Sequence, residues 1–279
     1  MRLWMITGAG RGLGRAFTEA ALEHGDQVVA TIRQDGVLDD LVKQYGDRLL
    51  PRRLDVTSRA DVQNVVADVV AMIGTPDVVV NNAGYGLVGA VEELTEDELR
   101  AQLDVNLYGA VWVTQAVLPH LRARGSGKIV QVSTVGAVGH LPLFGAYNAS
   151  KWALEGLSSA LAAEVAPFGI GVHLLQLGGF ATDWFGSSMS FTAANPAYDG
   201  TREGILGMPG YPTAAMLSEA EPSAEESPAV AAQALLDLLD DPEPPLRKII
   251  GTGAHEMVRT ALEWRRDDYA RDPAFSWPS

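Results

Sequence analysis

The 279-residue chain contains no cysteine. That excludes disulfides, thiolate metal sites and thiol nucleophiles, and it is compatible with a cytosol, so a cytoplasmic location is expected. The apolar runs are much shorter than the ~18 residues a membrane span needs. Met1-Arg2 leads straight into the first strand-like run, so no signal peptide is expected. Basic charge is scarce: 21 Lys and Arg face 35 Asp and Glu, for a net charge of −14. Nucleic-acid binding needs a basic face, so neither nucleic acid nor an anionic membrane is expected as a partner. The acidity reads as solubility. The five histidines show no metal-ligand spacing, so no metal site is expected.

What the chain has is core material, at 47% hydrophobic, in a regular alternation. Strand-like runs lie near 2–7, 27–32, 49–54, 77–82, 127–133, 170–177 and 247–251. Helical patterns lie near 12–24, 36–45, 58–73, 95–124, 146–167, 226–240 and 254–268. Such alternation predicts an α/β fold, a doubly wound parallel sheet of about seven strands with helices on both faces. Thr95-Glu96-Asp97-Glu98 is a capping box that opens the long helix. The length suits one domain spanning 1–279, and no internal repeat is visible. The stretch at about 184–225 is irregular and rich in Ser, Gly, Pro and Ala. A loop this long is commonly functional.

Two motifs carry chemistry. Tyr147-Asn148-Ala149-Ser150-Lys151 puts a phenol and an ammonium four residues apart, on one helix face. The ammonium favours the phenolate and lowers the phenol pKa. A phenol so tuned exchanges a proton with a carbonyl or alcohol oxygen near neutral pH. At the other end, Leu3-Trp4-Met5-Ile6 runs into Thr7-Gly8-Ala9-Gly10-Arg11-Gly12-Leu13-Gly14, and a helical pattern follows. A strand, a Gly-rich turn and a helix form a phosphate cradle, with the helix N-terminus facing the anion.

Further signals arrive in order: Asp55 after the third strand, Asn81-Asn82-Ala83-Gly84 after the fourth, Asn106 inside a long helix, and Ser133 at the end of the fifth. With Tyr147 and Lys151 these resemble the short-chain dehydrogenase/reductase family in its single-domain branch. The likeness implies a Rossmann fold and reversible hydride transfer between a nicotinamide cofactor and a carbonyl/alcohol pair. It implies a catalytic tetrad of Asn106, Ser133, Tyr147 and Lys151. Tyr147 is then the general acid/base, and Ser133 bonds the reacting oxygen. Lys151 lowers the phenol pKa and binds the nicotinamide ribose, and Asn106 holds a water that links Lys151 to solvent. For the cofactor it implies Gly8, Gly10, Gly12, Leu13 and Gly14 at the pyrophosphate, with Asp55 and the Val56 backbone at the adenine. Asn82, Ala83 and Gly84 line its ribose, and Gly178 and Thr182 meet the nicotinamide end. The family usually has Pro before that glycine, where this chain has Leu177, which frees φ and adds an N–H.

Cofactor choice turns on Arg11 and Arg33. Ile32 stands where an NAD-binding chain usually carries an acidic residue for the ribose hydroxyls. A guanidinium suits a 2′-phosphate instead, and Arg at both positions implies NADP(H). The family carries a mobile substrate lid at about 184–225. Val135, Leu141, Leu143, Trp184, Phe185 and Met189 are candidate substrate contacts. Apart from Arg202 in the lid, no Arg or Lys there is placed to bind an anionic substrate. A neutral, fairly bulky ketone or aldehyde is therefore expected. Ala30-Thr31-Ile32-Arg33 and the long lid look like the hydroxysteroid dehydrogenase-like branch. An alcohol dehydrogenase working in the oxidative direction and a non-catalytic NADP(H)-binding sensor remain alternatives. The resemblance also implies a homodimer or homotetramer, paired through the helices 95–124 and 146–167.

Overall fold

The computed structural model describes residues 1–180, 188–219 and 226–276. Among them the strands are β1 (Leu3–Ile6), β2 (Gln27–Ile32), β3 (Leu49–Arg53), β4 (Val78–Asn81), β5 (Gly86–Val88), β6 (Gly127–Thr134), β7 (Ile170–Leu177), β8 (Met189–Phe191) and β9 (Arg247–Ile250). Seven form one parallel sheet in the order β3-β2-β1-β4-β6-β7-β9. The alternation of the sequence requires this architecture, because parallel neighbours need a crossover between them.

Helices α1 (Gly12–Glu23), α2 (Asp39–Tyr45), α3 (Arg59–Met72), α4 (Glu96–Leu103), α5 (Gly109–Arg124), α6 (Gly145–Val165), α7 (Asp199–Leu206), α8 (Ala214–Glu219), α9 (Pro228–Asp240) and α10 (Ala254–Tyr269) follow. Side chains alternate across the strands, so each run feeds two cores. Trp4, Ile6, Val78, Val80 and Val130 join one core with α1 and α9. Met5, Val79 and Ile129 join the other with α3, α5 and α6. Burial on both faces is why these strands read as continuous apolar runs.

Two features depart from the sequence expectation. The helix expected over 95–124 opens with its Thr95 capping box but breaks at Asp104–Tyr108, which form a π-helical turn. There the chain turns Asn106 inward, where it is 1% exposed. Gly109, just after the turn, lies against Val56, where a Cβ would stand 2.7 Å from Val56 Cγ2. The irregular 184–225 stretch holds structure of its own in β8, α7 and α8. β8 pairs in parallel with β5, forming a second, two-stranded sheet. Three-residue strands are too short to show a period, so the sequence pattern misses both.

Candidate active site

The cradle sits at the switch point between β1 and β4, where the strand order reverses. Gly8 (φ 64°) and Gly12 (φ 52°) take left-handed conformations. A Cβ on Gly14 would stand 2.2 Å from the Gly8 carbonyl oxygen, so only glycine lets α1 start this close to the turn. Arg11, the N-cap, places no side-chain cap on α1. The first-turn N–H groups and the positive dipole end are thus left for an anion. Asn82 ties the two strand ends, donating from Nδ2 to the Thr7 and Gly8 carbonyls at 3.0 and 3.1 Å. Thr7 Oγ1 accepts the Asn82 and Ala83 N–H groups, both at 3.0 Å. This cradle fits a dinucleotide pyrophosphate: backbone donors face it and no Cβ intrudes. Leu13 packs its side chain on the core and Val56 is buried.

Tyr147 and Lys151 enter from α6. Lys151 is 5% exposed, and its Nζ donates to the Val132 carbonyl at 2.8 Å and lies 6.0 Å from the Tyr147 ring centroid. The Lys151 Nζ and Asn106 Oδ1 converge on Gly84, 3.6 and 3.2 Å from where its Cβ would be. Asn106 Oδ1 accepts the Tyr85 N–H at 3.0 Å. Its Nδ2 donates to the Tyr85 carbonyl at 2.9 Å and to Ser150 Oγ at 3.1 Å. Ser150 in turn donates to the Tyr147 carbonyl at 2.7 Å. The Asn106 amide therefore braces the first turns of α6.

The hydroxyl beside Tyr147 is not the expected one. Ser133 is buried and donates to Glu155 at 2.8 Å. Thr134 is the residue whose side chain hydrogen-bonds Tyr147. The cause is strand parity, because adjacent residues of β6 face opposite sides. Gln131 and Ser133 share the face turned to α5 and α6: Gln131 Nε2 reaches Thr114 Oγ1 at 3.4 Å. Glu155 also accepts from Gln176 and Arg247, at 2.8 and 2.7 Å, so Ser133 belongs to a structural knot joining β6, β7, β9 and α6. Neither Thr134 nor Ser150 stands out in the sequence reading. The period-2 placement of Gln131 and Ser133 is the signal that finds Thr134.

Titration departs from the spacing argument as well. Burial pushes the Tyr147 phenol above its ordinary value, and the Thr134 hydrogen bond opposes this without reversing it. Burial pulls the Lys151 ammonium down to about 8. Desolvation of both groups thus outweighs the lowering of the phenol that the Tyr–Lys pair predicts.

Arg33 is exposed, and its charge helps to hold the Asp55 carboxyl low, behind the larger effect of the Thr57 N–H. No ion pair joins Arg33 to Asp35 among the described residues. Gly178 donates its N–H to the Ile250 carbonyl at 2.9 Å. Over Tyr147 lies an apolar cluster that includes Val88, Leu143, Phe144, Met189 and Phe191. Leu143 has φ 70°, a rare conformation for a side chain of this kind, and its carbonyl accepts the Gly89 N–H at 2.7 Å. Leu143 and Met189 thus share one cluster with Tyr147. Val135 is not: it packs with Ala254 and Val258 under α10. Leu141 is 48% exposed. Thr182, Trp184 and Phe185 lie outside the described residues. Arg202 is fully buried on Glu93 and Asp199, so it offers no charge to a substrate.

A cavity of about 740 Å³ lies at the opposite edge, among the strand starts Asp77, Gly127, Lys128 and Ile170. Ligands of such sheets bind beyond the carboxyl ends, where Tyr147 and the cradle stand, so that cavity is not the candidate site. Among the described residues no helix is long and apolar enough to cross a membrane.

The short chain dehydrogenase family model matches residues 2–192. The chain is 41% identical over 263 residues to the oxidoreductase BOA17 of Botryotinia fuckeliana, covering 94% of this chain and 93% of that one. It is similar to a solved short-chain dehydrogenase from Streptomyces avermitilis, with a TM-score of 0.86 and 40% identity over 97% of each chain. It is also 40% identical over 178 residues to a 3-ketodihydrosphingosine reductase of Bacteroides thetaiotaomicron, covering 64% of each.

Proposed function

This chain belongs to the short-chain dehydrogenase/reductase family, a family of nicotinamide-dependent oxidoreductases, and on that premise we propose that it is an NADP(H)-dependent ketoreductase. Its substrate is a neutral, fairly bulky ketone or aldehyde, reduced reversibly to the alcohol. The observation that carries this reading is the meeting of the Thr134 hydroxyl, the Tyr147 phenol and the Lys151 ammonium beside the glycine cradle.

The chemistry that a nicotinamide cofactor would supply there is hydride for the carbonyl carbon. Tyr147 gives its proton to the developing alkoxide, and burial keeps the phenol protonated through neutral pH, as a general acid requires. Thr134 takes the part that the sequence assigns to Ser133, donating a hydrogen bond to the same oxygen. Lys151 binds the ribose hydroxyls, and its positive charge favours the phenolate once the proton has left. Asn106 holds the catalytic helix in place and, through its π-turn, carries the water path. Gly8 to Gly14 hold the pyrophosphate.

Two further features support the cofactor and substrate. Arg11 and Arg33 are exposed beside the cradle, and Ile32 leaves no carboxylate to repel a 2′-phosphate. The wall over Tyr147 is apolar, and the nearby Arg202 is already spent on carboxylates. A relative described as a 3-ketodihydrosphingosine reductase is consistent with a large neutral ketone. The hydroxysteroid dehydrogenase-like branch and a homo-oligomer paired through α4, α5 and α6 belong to the same proposal.

The test is loss of reduced-cofactor absorbance with a panel of neutral ketones and aldehydes, NADPH and NADH in parallel, with Tyr147→Phe as control. Turnover with NADPH that vanishes in Tyr147→Phe supports the reading. A clear preference for NADH defeats the roles of Arg11 and Arg33. NADPH binding without turnover on any carbonyl would favour the sensor.

A further inference from the structure

Arg202 is 0% exposed, and every side of its guanidinium is used. Its Nε donates to the Pro209 carbonyl, and its Nη1 to Glu93 Oε1. Its Nη2 donates to the Asn195 carbonyl at 2.7 Å and to Asp199. Its face lies 5.0 Å from the Tyr211 ring centroid. Glu93, whose side chain is also 0% exposed, is equally full. Its Oε1 accepts the Asn195 N–H at 2.6 Å as well as Arg202, and its Oε2 accepts the Ala90 N–H at 2.8 Å and the Tyr211 hydroxyl. Three chain segments, at 90–93, 195–202 and 209–211, thus close around one dehydrated ion pair.

The pair holds up something too small to hold itself. β8 pairs with β5 over three residues, and an isolated two-stranded sheet is marginal in water. Yet Met189 and Phe191 of β8, with Tyr211, pack in the cluster that contains Tyr147. A planar guanidinium fork fixes orientation as well as distance, and breaking one partner of a buried pair leaves the other charge unpaired.

We propose that Glu93 and Arg202 are positioning residues that set the size of carbonyl substrate accepted over Tyr147, by locking the 188–211 segment as a preformed wall. This rests on the ketoreductase reading above. The wall's side chains contact the body of a bulky ketone, while a small aldehyde meets only the groups around Tyr147. Preorganisation then acts on the binding of the large substrate and leaves proton transfer untouched.

The test compares Glu93→Gln with the parent enzyme on a bulky neutral ketone and on a small aldehyde, with amide exchange measured on the same proteins. The expected result is a KM for the bulky ketone raised roughly tenfold, from lost preorganisation, with kcat, the small-aldehyde kinetics and the NADPH KM within about twofold. Residues 189–211 lose exchange protection while the seven-stranded sheet keeps it. Tyr211→Phe keeps the ring, removes one bond to Glu93 and gives a smaller shift in the same direction, which guards against a Glu93 variant that fails to fold. Equal losses on both substrates, or unchanged KM values, overturn the proposal. Unchanged protection of 189–211 also overturns it, whatever the activity. A parent enzyme that turns over no carbonyl defeats the ketoreductase reading instead, and the exchange result still decides whether the pair holds the wall.

Discussion

A Thr134→Ala enzyme keeps Tyr147 and Lys151 but loses the hydroxyl bonded to the phenol, and its kcat should fall by roughly 10²-fold, the usual cost of one oxyanion donor. Thr134→Ser should keep most of the rate. Ser133→Ala, one residue away, should leave kcat close to normal and instead cost about 1 kcal/mol of stability, because it removes a buried hydrogen bond to Glu155. Steady-state kinetics and denaturant midpoints on the three variants separate these outcomes. The Tyr147 and Lys151 positions were legible in the sequence because a helix repeats on one face every three to four residues. The choice between Ser133 and Thr134 was not, because both are hydroxyls at a strand end and a shift of one residue exchanges the faces. Lys151 adds a pH dependence. Its folded value, about 8, lies below its ordinary 10.5, so the ammonium is kept below pH 8 and lost above it. The rate of reduction should decline as pH rises through about 8. The sign for stability is opposite: the cost of burying the charge is present below pH 8 and is relieved between 8 and 10.5. Parallel pH profiles of kcat and thermal midpoint check both.

Among elements, the turn from β1 into α1 tolerates least. Gly14→Ala places a Cβ 2.2 Å from the Gly8 carbonyl oxygen, so α1 must shift off the cradle. The expected outcome is loss of nucleotide binding in a titration, with a lowered thermal midpoint. The strands and helices of the main sheet followed from apolar runs and caps. The break after Leu103 did not, because a π-turn adds one residue without changing the composition of the helix around it. The β5–β8 ribbon was equally hidden, since its wall is held by Glu93 and Arg202 from distant segments. Acid should loosen that wall. Burial acts to raise the Glu93 carboxyl, and bonds from Tyr211, Asn195, Ala90 and Arg202 outweigh it and hold it below its ordinary 4.5. The stability it gives is complete above 4.5 and is lost as pH falls through the lower folded value. Amide exchange of 189–211 should rise in that acid window before the main sheet opens.

At the scale of the molecule, a nucleotide held in the cradle would bridge the β1 and β4 ends and should stabilise the whole sheet. At a hundred times its dissociation constant NADPH adds about 2.7 kcal/mol. The thermal midpoint should rise more with NADPH than with equal NADH, and Arg33→Ala should remove most of that difference. The family and the sheet were readable because many motifs agree in order. Substrate choice was not, because the apolar cluster around Tyr147 is assembled from separate segments. Hydride transfer itself is tested most directly with NADPH carrying two deuteriums at nicotinamide C4 and a neutral ketone, followed by mass spectrometry of the alcohol. Hydride transfer with Tyr147 as the acid predicts one deuterium on the carbinol carbon, formed by the parent enzyme and not by Tyr147→Phe. Alcohol without deuterium, or equal labelling by Tyr147→Phe, would contradict it.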